Sequence, residues 1–212
     1  MKEAEPTLPA AMFARVDESD DALFYRQPRL VLHIDDATVA ALTRYYADVL
    51  PRGAHVLDLM SSWVSHLPHE LALGDVVGVG MNADELAANP RLTERVVQDL
   101  NRDPRLPFAA ARFDAVAIAV SVQYLTRPVD VFAEIGRVLK PGGRAIVAMS
   151  HRCFPTKAIR AFHTLDASDR IRLVATYFAM AENFDDAAFV DRSPPNADPL
   201  WIVTATARRP ER

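Results

Sequence analysis

The sequence has little cysteine, no excess of basic residues and no long apolar run, and each of these absences excludes a class of protein. A single cysteine, Cys153, cannot form an intrachain disulfide framework or a cysteine-only zinc site, and it suits a reducing compartment. The 24 Lys and Arg residues against 28 Asp and Glu leave a formal net charge of −4, which argues against nucleic acid as a partner. The longest apolar stretches, such as AVAIAVSV at 115–122, fall far short of the ~20 residues that span a bilayer.

The start of the chain also lacks the basic and apolar segments of a signal peptide, because residues 1–21 are rich in proline, alanine and acid. A cytoplasmic location is therefore expected. What the sequence does contain is enough for one globular domain, since 212 residues with 50% apolar content can bury a sizeable core but are too few for two domains. We expect residues 1–34 to form an N-terminal arm or lid and residues 35–212 to form the domain.

Short apolar runs alternate with helical segments along the rest of the chain. DDATVAALTRYYADVL, residues 35–50, has near-helical spacing of apolar residues and predicts an amphipathic helix, and a second helix is predicted from Pro128 to a turn at 141–143. Five apolar runs are typical of strands buried on both sides: HVLDLM, DVVGVGM, RVVQDL, FDAVAIAVSV and GRAIVAMS. Together they predict an α/β fold, a parallel sheet with helices on both faces. AAFVD and LWIVTATAR are two further strand candidates.

Several local signatures resemble the class I S-adenosylmethionine-dependent methyltransferases, of the type 11 group, over about residues 35–208. VLDL at 56–59 is similar to the family's first strand with its acid at Asp58, and VVQDLNRDPRLPF is similar to its third-strand element with an acid at Asp99. FDAVAIAVSVQYL resembles the fourth strand and the turn after it, and EIGRVLKPGG at 134–143 is the most specific match. The resemblance implies a Rossmann-like fold, a seven-stranded, mainly parallel sheet with an antiparallel last strand.

Two departures from the family pattern lie where the cofactor is expected to bind. In the family a glycine-rich turn follows the first strand, because glycine allows close approach of the backbone and positive φ. Here the motif is degenerate, with Met60, Ser62 and Val64 at the glycine positions. The acid that usually ends the second strand and holds the ribose hydroxyls is replaced by Gly80.

The resemblance implies S-adenosyl-L-methionine as the cofactor, bound where the strands end at their carboxyl edge. Asp58 is expected to contact the methionine end of the cofactor, with a helix cap as the alternative. Asn82 or Asp84 is expected to supply the missing ribose acceptor, and Asp99 to contact adenine, with a loop cap as the alternative. The expected cofactor-binding residues are Asp58, Ser61, Ser62, Asn82, Asp99, Leu100, Ser121 and Gln123.

Tyr124 and His151 are the candidate catalytic residues. Tyr124 follows the fourth strand and can hydrogen-bond an attacking oxygen or nitrogen, whereas a packed ring in a capped turn is the alternative. His151 follows the fifth strand and could position the substrate or act as a weak base, with a structural strand cap as the alternative. No metal site is expected: His66 and His69 are three residues apart, but a third ligand is missing and Pro68 interrupts a helix.

These features predict an enzyme that transfers the methyl group of S-adenosylmethionine to a small-molecule acceptor, as a monomer or homodimer without nucleic acid or membrane partners. Displacement at a sulfonium methyl group needs mainly alignment and exclusion of water. Because the cofactor turn and the ribose acid have both changed, two alternatives stay open. One is a catalytically silent or partner-dependent binding protein on the methyltransferase fold, and the other is an enzyme of different chemistry on the same fold.

Overall fold

Seven strands form a single sheet in the computed structural model, which describes residues 8–209. They are β1 Val56–Leu59, β2 Val76–Gly80, β3 Glu94–Val97, β4 Phe113–Ala119, β5 Leu139–Met149, β6 Ala188–Asp191 and β7 Trp201–Thr206. The strand order is β3-β2-β1-β4-β5-β7-β6. Strands β1 to β5 are parallel to one another, and β7 runs antiparallel to both β5 and β6. The predicted fold, including the antiparallel last strand, is confirmed.

Six α-helices connect or flank these strands within the described residues. They are α1 Asp21–Phe24, α2 Asp36–Val49, α3 Ala83–Ala88, α4 Pro128–Val138, α5 Arg160–Thr164 and α6 Ala167–Met180. The start of α2 follows from its sequence, since the Asp35 carboxylate accepts the Thr38 amide at 2.9 Å and so caps the first turn. Of the helices in this part of the chain, none is both long and apolar enough to cross a membrane.

The sheet separates two apolar cores, as the predicted helices on both faces require. Leu57 and Leu59 of β1 point into one core, together with the buried faces of α4, α5 and α6. Val56, one residue away, points into the other core, which holds the inner faces of α2 and α3. In the first core the Phe132 ring lies 4.7 Å from Phe178 between ring centroids, in edge-to-face contact.

Two local differences from the sequence prediction have physical reasons. Residues 60–75, between β1 and β2, form no helix, because Met60 and His66 have positive φ and Pro68 cannot donate a helical hydrogen bond. The predicted turn at 141–143 lies inside β5, which begins directly after α4. A register irregularity against β4 and a positive φ of 83° at Gly142 absorb the bend there.

The arm, here residues 8–34, is bound to the domain by a buried ionic cluster around Asp21. Arg15 Nη1 donates to both oxygens of the Asp21 carboxylate at 2.8 Å, and Asn101 Nδ2 donates to the same carboxylate at 2.9 Å. Lys157 Nζ lies 3.0 Å from the same carboxylate and donates to the Ser19 carbonyl at 2.8 Å. Burial alone would raise the pKa of Asp21, but the hydrogen bonds from Arg15, Asn101 and Lys157 hold it below its usual value.

Replacing Lys157 with alanine should detach the arm. Its side chain is fully buried, and removing one partner of a buried ion pair costs about 3–5 kcal/mol. Lys140→Ala is the control, because the Lys140–Asp114 pair has side chains 40% and 30% exposed and should contribute about 1 kcal/mol or less. Urea denaturation and limited proteolysis of residues 8–34 measure both effects. Equal and small losses in the free energy of unfolding, with unchanged proteolysis of the arm, would show that the cluster does not hold the arm.

Candidate functional site

A cavity opens at the carboxyl ends of β1, β2 and β4, at the position expected for ligands of open α/β sheets. The arm forms its other side through five residues: Asp21, Tyr25, Arg29, Val31 and His33. A side-chain hydrogen bond helps to hold the arm in this place, since Trp63 Nε1 donates to the Val31 carbonyl at 3.0 Å. The cavity is therefore built jointly by the sheet edge and the arm.

Three non-glycine residues with positive φ line this cavity. Met60 has φ 60°, His66 φ 54° and Val120 φ 50°. Such backbone costs of order 1–3 kcal/mol per residue and occurs most often at functional sites. Met60 keeps the left-handed backbone for which a glycine is suited, although it carries a side chain. Ser62 and Val64, the other two positions of the degenerate motif, do not have positive φ.

Asp58 lies at the end of β1 with only 4% of its surface exposed. Ser61 Oγ donates to its carboxylate at 2.6 Å. Burial raises the pKa of Asp58 to about 6, and hydrogen bonds from Ser61 and Ser65 limit the rise. Asp58 and Ser61 both line the cavity, so a carboxylate and its hydroxyl partner face the space where a ligand can bind.

The structure explains the glycine at the end of β2. A Cβ atom at Gly80 would lie 2.3 Å from the Ser61 carbonyl oxygen, which is a backbone atom and cannot move aside easily. No acidic side chain fits at this position while the turn after β1 keeps its course.

Asn82, the predicted ribose acceptor, has its amide group fully engaged. Its Oδ1 accepts the backbone amides of Asp84 and Glu85 at 2.9 and 3.0 Å and so caps α3. Its Nδ2 donates to the carbonyls of Tyr25 and Arg26 in the arm. Asn82 lines the cavity as an anchor of the arm, while the side chain of Asp84 is exposed to solvent.

Glu85 is a cavity residue that the sequence reasoning missed. It is 7% exposed, and its two carboxylate oxygens accept from different parts of the chain. Oε1 accepts the backbone amide of Arg29 at 2.7 Å, and Oε2 accepts Ser62 Oγ at 2.6 Å. Its place as the third helical residue after Asn82 is a possible signal, but that pattern normally predicts a capping box rather than a ligand contact.

The residues predicted to contact adenine lie after the end of β3. Asp99 and the buried Leu100 line the cavity. Asp99 Oδ1 accepts the amides of Asn101 and Arg102 at 2.9 and 3.3 Å, so this carboxylate also caps its loop. The amide group of Asn101 is used elsewhere, because its Nδ2 donates to Asp21 and its Oδ1 accepts the Thr126 amide.

The turn after β4 carries two residues that the sequence predicts to bind the cofactor, and only one of them lines the cavity. Ser121 lines the cavity, and its buried Oγ has no hydrogen-bond partner among the described residues. Gln123 does not line the cavity, because its Nε2 donates to the carbonyls of Val120 and Arg152 at 2.9 and 3.2 Å. Gln123 therefore braces the loop that follows β5.

Tyr124 and His151, the candidate catalytic residues, have different surroundings. Tyr124 lines the cavity, its hydroxyl oxygen accepts the Phe154 amide at 2.7 Å, and burial raises its pKa to about 12. The His151 side chain is 51% exposed, lies outside the cavity, and is 3.3 Å from Asp198 Oδ1 through Nε2. The structure does not bring His151 together with the other predicted site residues.

His66 supplies an imidazole to the cavity instead. Its Nδ1 is buried and has no hydrogen-bond partner among residues 8–209. Its backbone carbonyl accepts Thr43 Oγ1 at 2.9 Å, which fixes the strained residue against α2. Burial and the neighbouring His33 lower the pKa of His66 to about 4, so the ring is neutral at pH 7. The structure brings together no group of three His, Cys, Asp or Glu side chains that could hold a metal ion within the described ranges.

Comparison with known proteins agrees with this geometry. Residues 61–147 match the family described as a methyltransferase domain. The chain is 37% identical over 107 residues to the demethylmenaquinone methyltransferase of Lactiplantibacillus plantarum, which covers 46% of this chain and 45% of the relative. It is 34% identical over 104 residues to the enzyme of that name from Renibacterium salmoninarum, covering 48% and 44%. The chain therefore matches less than half the length of these curated relatives.

Solved structures share the fold at low sequence identity. An S-adenosylmethionine dependent methyltransferase from Mesorhizobium loti has a TM-score of 0.55 and 13% identity, covering 78% of this chain and 97% of that chain. The Haemonchus contortus phosphoethanolamine N-methyltransferase 2, in complex with phosphomonomethylethanolamine and S-adenosylhomocysteine, has a TM-score of 0.58 and 15% identity, covering 81% and 52%. The strand order and these structures show that the chain has the fold of class I S-adenosylmethionine-dependent methyltransferases, and residues 61–147 match the methyltransferase-domain family over part of the chain.

Proposed function

We propose that this protein binds S-adenosylmethionine in the cavity and transfers its methyl group to a small-molecule acceptor. The observation that carries the proposal is the pair of unpartnered buried atoms in the cavity wall, Ser121 Oγ and His66 Nδ1. Buried polar atoms are nearly always hydrogen-bonded, so two such atoms facing one cavity are expected to bond a ligand.

The residues of the cavity fit this cofactor. The cofactor carries an ammonium group and a sulfonium, and the buried Asp58 carboxylate supplies the opposite charge at the end of β1. Ser121 offers a free hydroxyl as donor or acceptor. At the end of β3, Asp99 can accept a hydrogen bond from an exocyclic amino group, and Leu100 offers an apolar surface to a purine ring.

When bound, S-adenosylmethionine supplies a methyl group on a positively charged sulfur. The chain has to align the acceptor with that methyl group and exclude water. The arm covers the cavity with Tyr25 and His33, which serves water exclusion. Tyr124, with its raised pKa, stays protonated at neutral pH and can donate a hydrogen bond, whereas the neutral His66 can accept a hydrogen bond at Nδ1.

A small-molecule acceptor is supported by two further observations. The curated relatives are named for demethylmenaquinone, a small molecule, although they match this chain over less than half of their length. The net charge of −4 gives no general attraction for nucleic acid. His151 and Gln123 have no part in this proposal, because neither lines the cavity.

Calorimetric titration with S-adenosylhomocysteine and S-adenosylmethionine tests the proposal. We expect a dissociation constant of tens of micromolar or above, about −6 kcal/mol or weaker, because side chains at Met60, Ser62 and Val64 keep the backbone from close approach.

Asp99→Ala should weaken binding by about 1–3 kcal/mol through loss of a buried hydrogen bond. Asp103→Ala is the control, since this exposed carboxylate also caps a loop amide, at 3.0 Å, but lies outside the cavity. No saturable heat with the native chain would refute cofactor binding, and equal constants for the two variants would remove Asp99 from the site.

Asp58 should make the fold less stable as pH rises, because burial raises the pKa of its carboxyl group in the folded state. Its pKa of about 6 in the folded chain exceeds the 3.8 of an ordinary aspartate, so between these values the folded state binds more protons than the unfolded state. Stability therefore falls as pH rises through that window and stays lower above it. Asp58→Asn should raise the free energy of unfolding at pH 7 by about 1–3 kcal/mol and have little effect at pH 4. Urea denaturation at both pH values measures this, and a difference independent of pH would contradict it.

A further inference from the structure

We propose that Glu85 accepts hydrogen bonds from the ribose hydroxyls of the cofactor, and that the same carboxylate couples this contact to closure of the arm. The inference rests on the proposed function. The ribose contact would then come from α3, because no acidic side chain fits at the end of β2. A Cβ atom at Gly80 would lie 2.3 Å from the Ser61 carbonyl oxygen.

Glu85 reaches the same edge of the sheet from the first turn of α3. Its Oε2 accepts Ser62 Oγ at 2.6 Å, and Ser62 belongs to the turn after β1 that closes off the Gly80 position. Both residues line the cavity. The Glu85 carboxylate therefore faces the space beside the end of β2, where the cofactor ribose is expected.

The carboxylate of Glu85 has capacity left for a diol. An ionised carboxylate offers about four acceptor sites, and the described residues use two of them, through Ser62 Oγ and the Arg29 amide. None of the ion pairs among residues 8–209 includes Glu85, although it is only 7% exposed. A buried carboxylate without a cation is costly unless it has further donors, and two vicinal hydroxyls supply them.

The other predicted ribose acceptor cannot take this role. The Asn82 oxygen caps α3, and its nitrogen donates to the arm. This leaves Glu85 as the acidic group at the end of β2 that both faces the cavity and has free acceptor sites.

The arm is held on the same turn of α3 by three hydrogen bonds. Asn82 Nδ2 binds the carbonyls of Tyr25 and Arg26 at 2.9 and 3.2 Å, and the Arg29 amide binds Glu85 Oε1 at 2.7 Å. The Arg29 guanidinium lies 4.2 Å from the centre of the Phe24 ring, which folds this segment onto itself. A ligand that orders the Glu85 carboxylate should therefore order arm residues 25–29 as well.

Calorimetry with two nucleosides tests the ribose contact: S-adenosylhomocysteine and its 2′,3′-dideoxy analogue. The variants are Glu85→Gln, which keeps the size of the side chain, and Asp84→Asn, an exposed carboxylate one residue earlier in the same turn. The native chain and Asp84→Asn should bind S-adenosylhomocysteine at least about tenfold more tightly than the analogue. Glu85→Gln should lose about tenfold in affinity for S-adenosylhomocysteine and change little for the analogue.

The outcomes separate this inference from the proposed function. If the native chain binds both nucleosides equally, the ribose is not recognised and the assignment of Glu85 is wrong, while cofactor binding stands. An equal loss for both nucleosides in Glu85→Gln would show that Glu85 only braces the fold. Binding of neither nucleoside by the native chain would overturn both proposals.

Hydrogen exchange of the arm tests the coupling. S-adenosylhomocysteine should slow exchange of the amides of residues 25–31 at least about threefold in the native chain and in Asp84→Asn. The dideoxy analogue, or the Glu85→Gln substitution, should remove this protection at ligand concentrations that saturate the site. Equal protection in Glu85→Gln at saturation would show that the arm closes without Glu85.

Discussion

The cavity depends on the buried carboxylate of Asp21. This one group accepts hydrogen bonds from Arg15 in the arm and from Asn101 in the loop after β3, and it lies 3.0 Å from the buried Lys157 ammonium. Three separate segments of the chain therefore meet at a single charge. Further contacts reinforce this one, including the edge-to-face packing of Phe24 on Phe154 and the hydrogen bond from Trp63 Nε1 to the Val31 carbonyl.

A second constraint comes from the turn after β1. The superfamily pattern has glycine where this chain has Met60, yet Met60 keeps a φ of 60°. The backbone course is thus retained at the cost of strain, and His66 and Val120 show the same left-handed backbone on the same cavity. Three of the six non-glycine residues with positive φ among residues 8–209 line this one cavity, which supports the proposal that it binds a ligand.

The sequence predicts those parts of the site that follow directly from the strands. Asp58 lies near the end of β1, Asp99 and Ser121 follow β3 and β4, and the edge of a parallel sheet brings the three to one cavity. His151 also follows a strand, but its side chain points away from the cavity, toward Asp198. The local sequence around His151 does not predict this orientation. Glu85 was missed because its orientation depends on Ser62 and Arg29, which lie 23 and 56 residues away in sequence. A short stretch of sequence does not predict contacts between residues so far apart in the chain.

We propose that the sheet edge and the arm together form the cofactor site. A crystal structure of the chain grown with S-adenosylhomocysteine tests this proposal most directly. We expect the ligand at the carboxyl ends of β1, β2 and β4, in contact with Ser121, with the arm over it and the Asp21 cluster intact. A ligand bound outside this cavity, or bound with the arm displaced from Asn101 and Lys157, would refute the proposal.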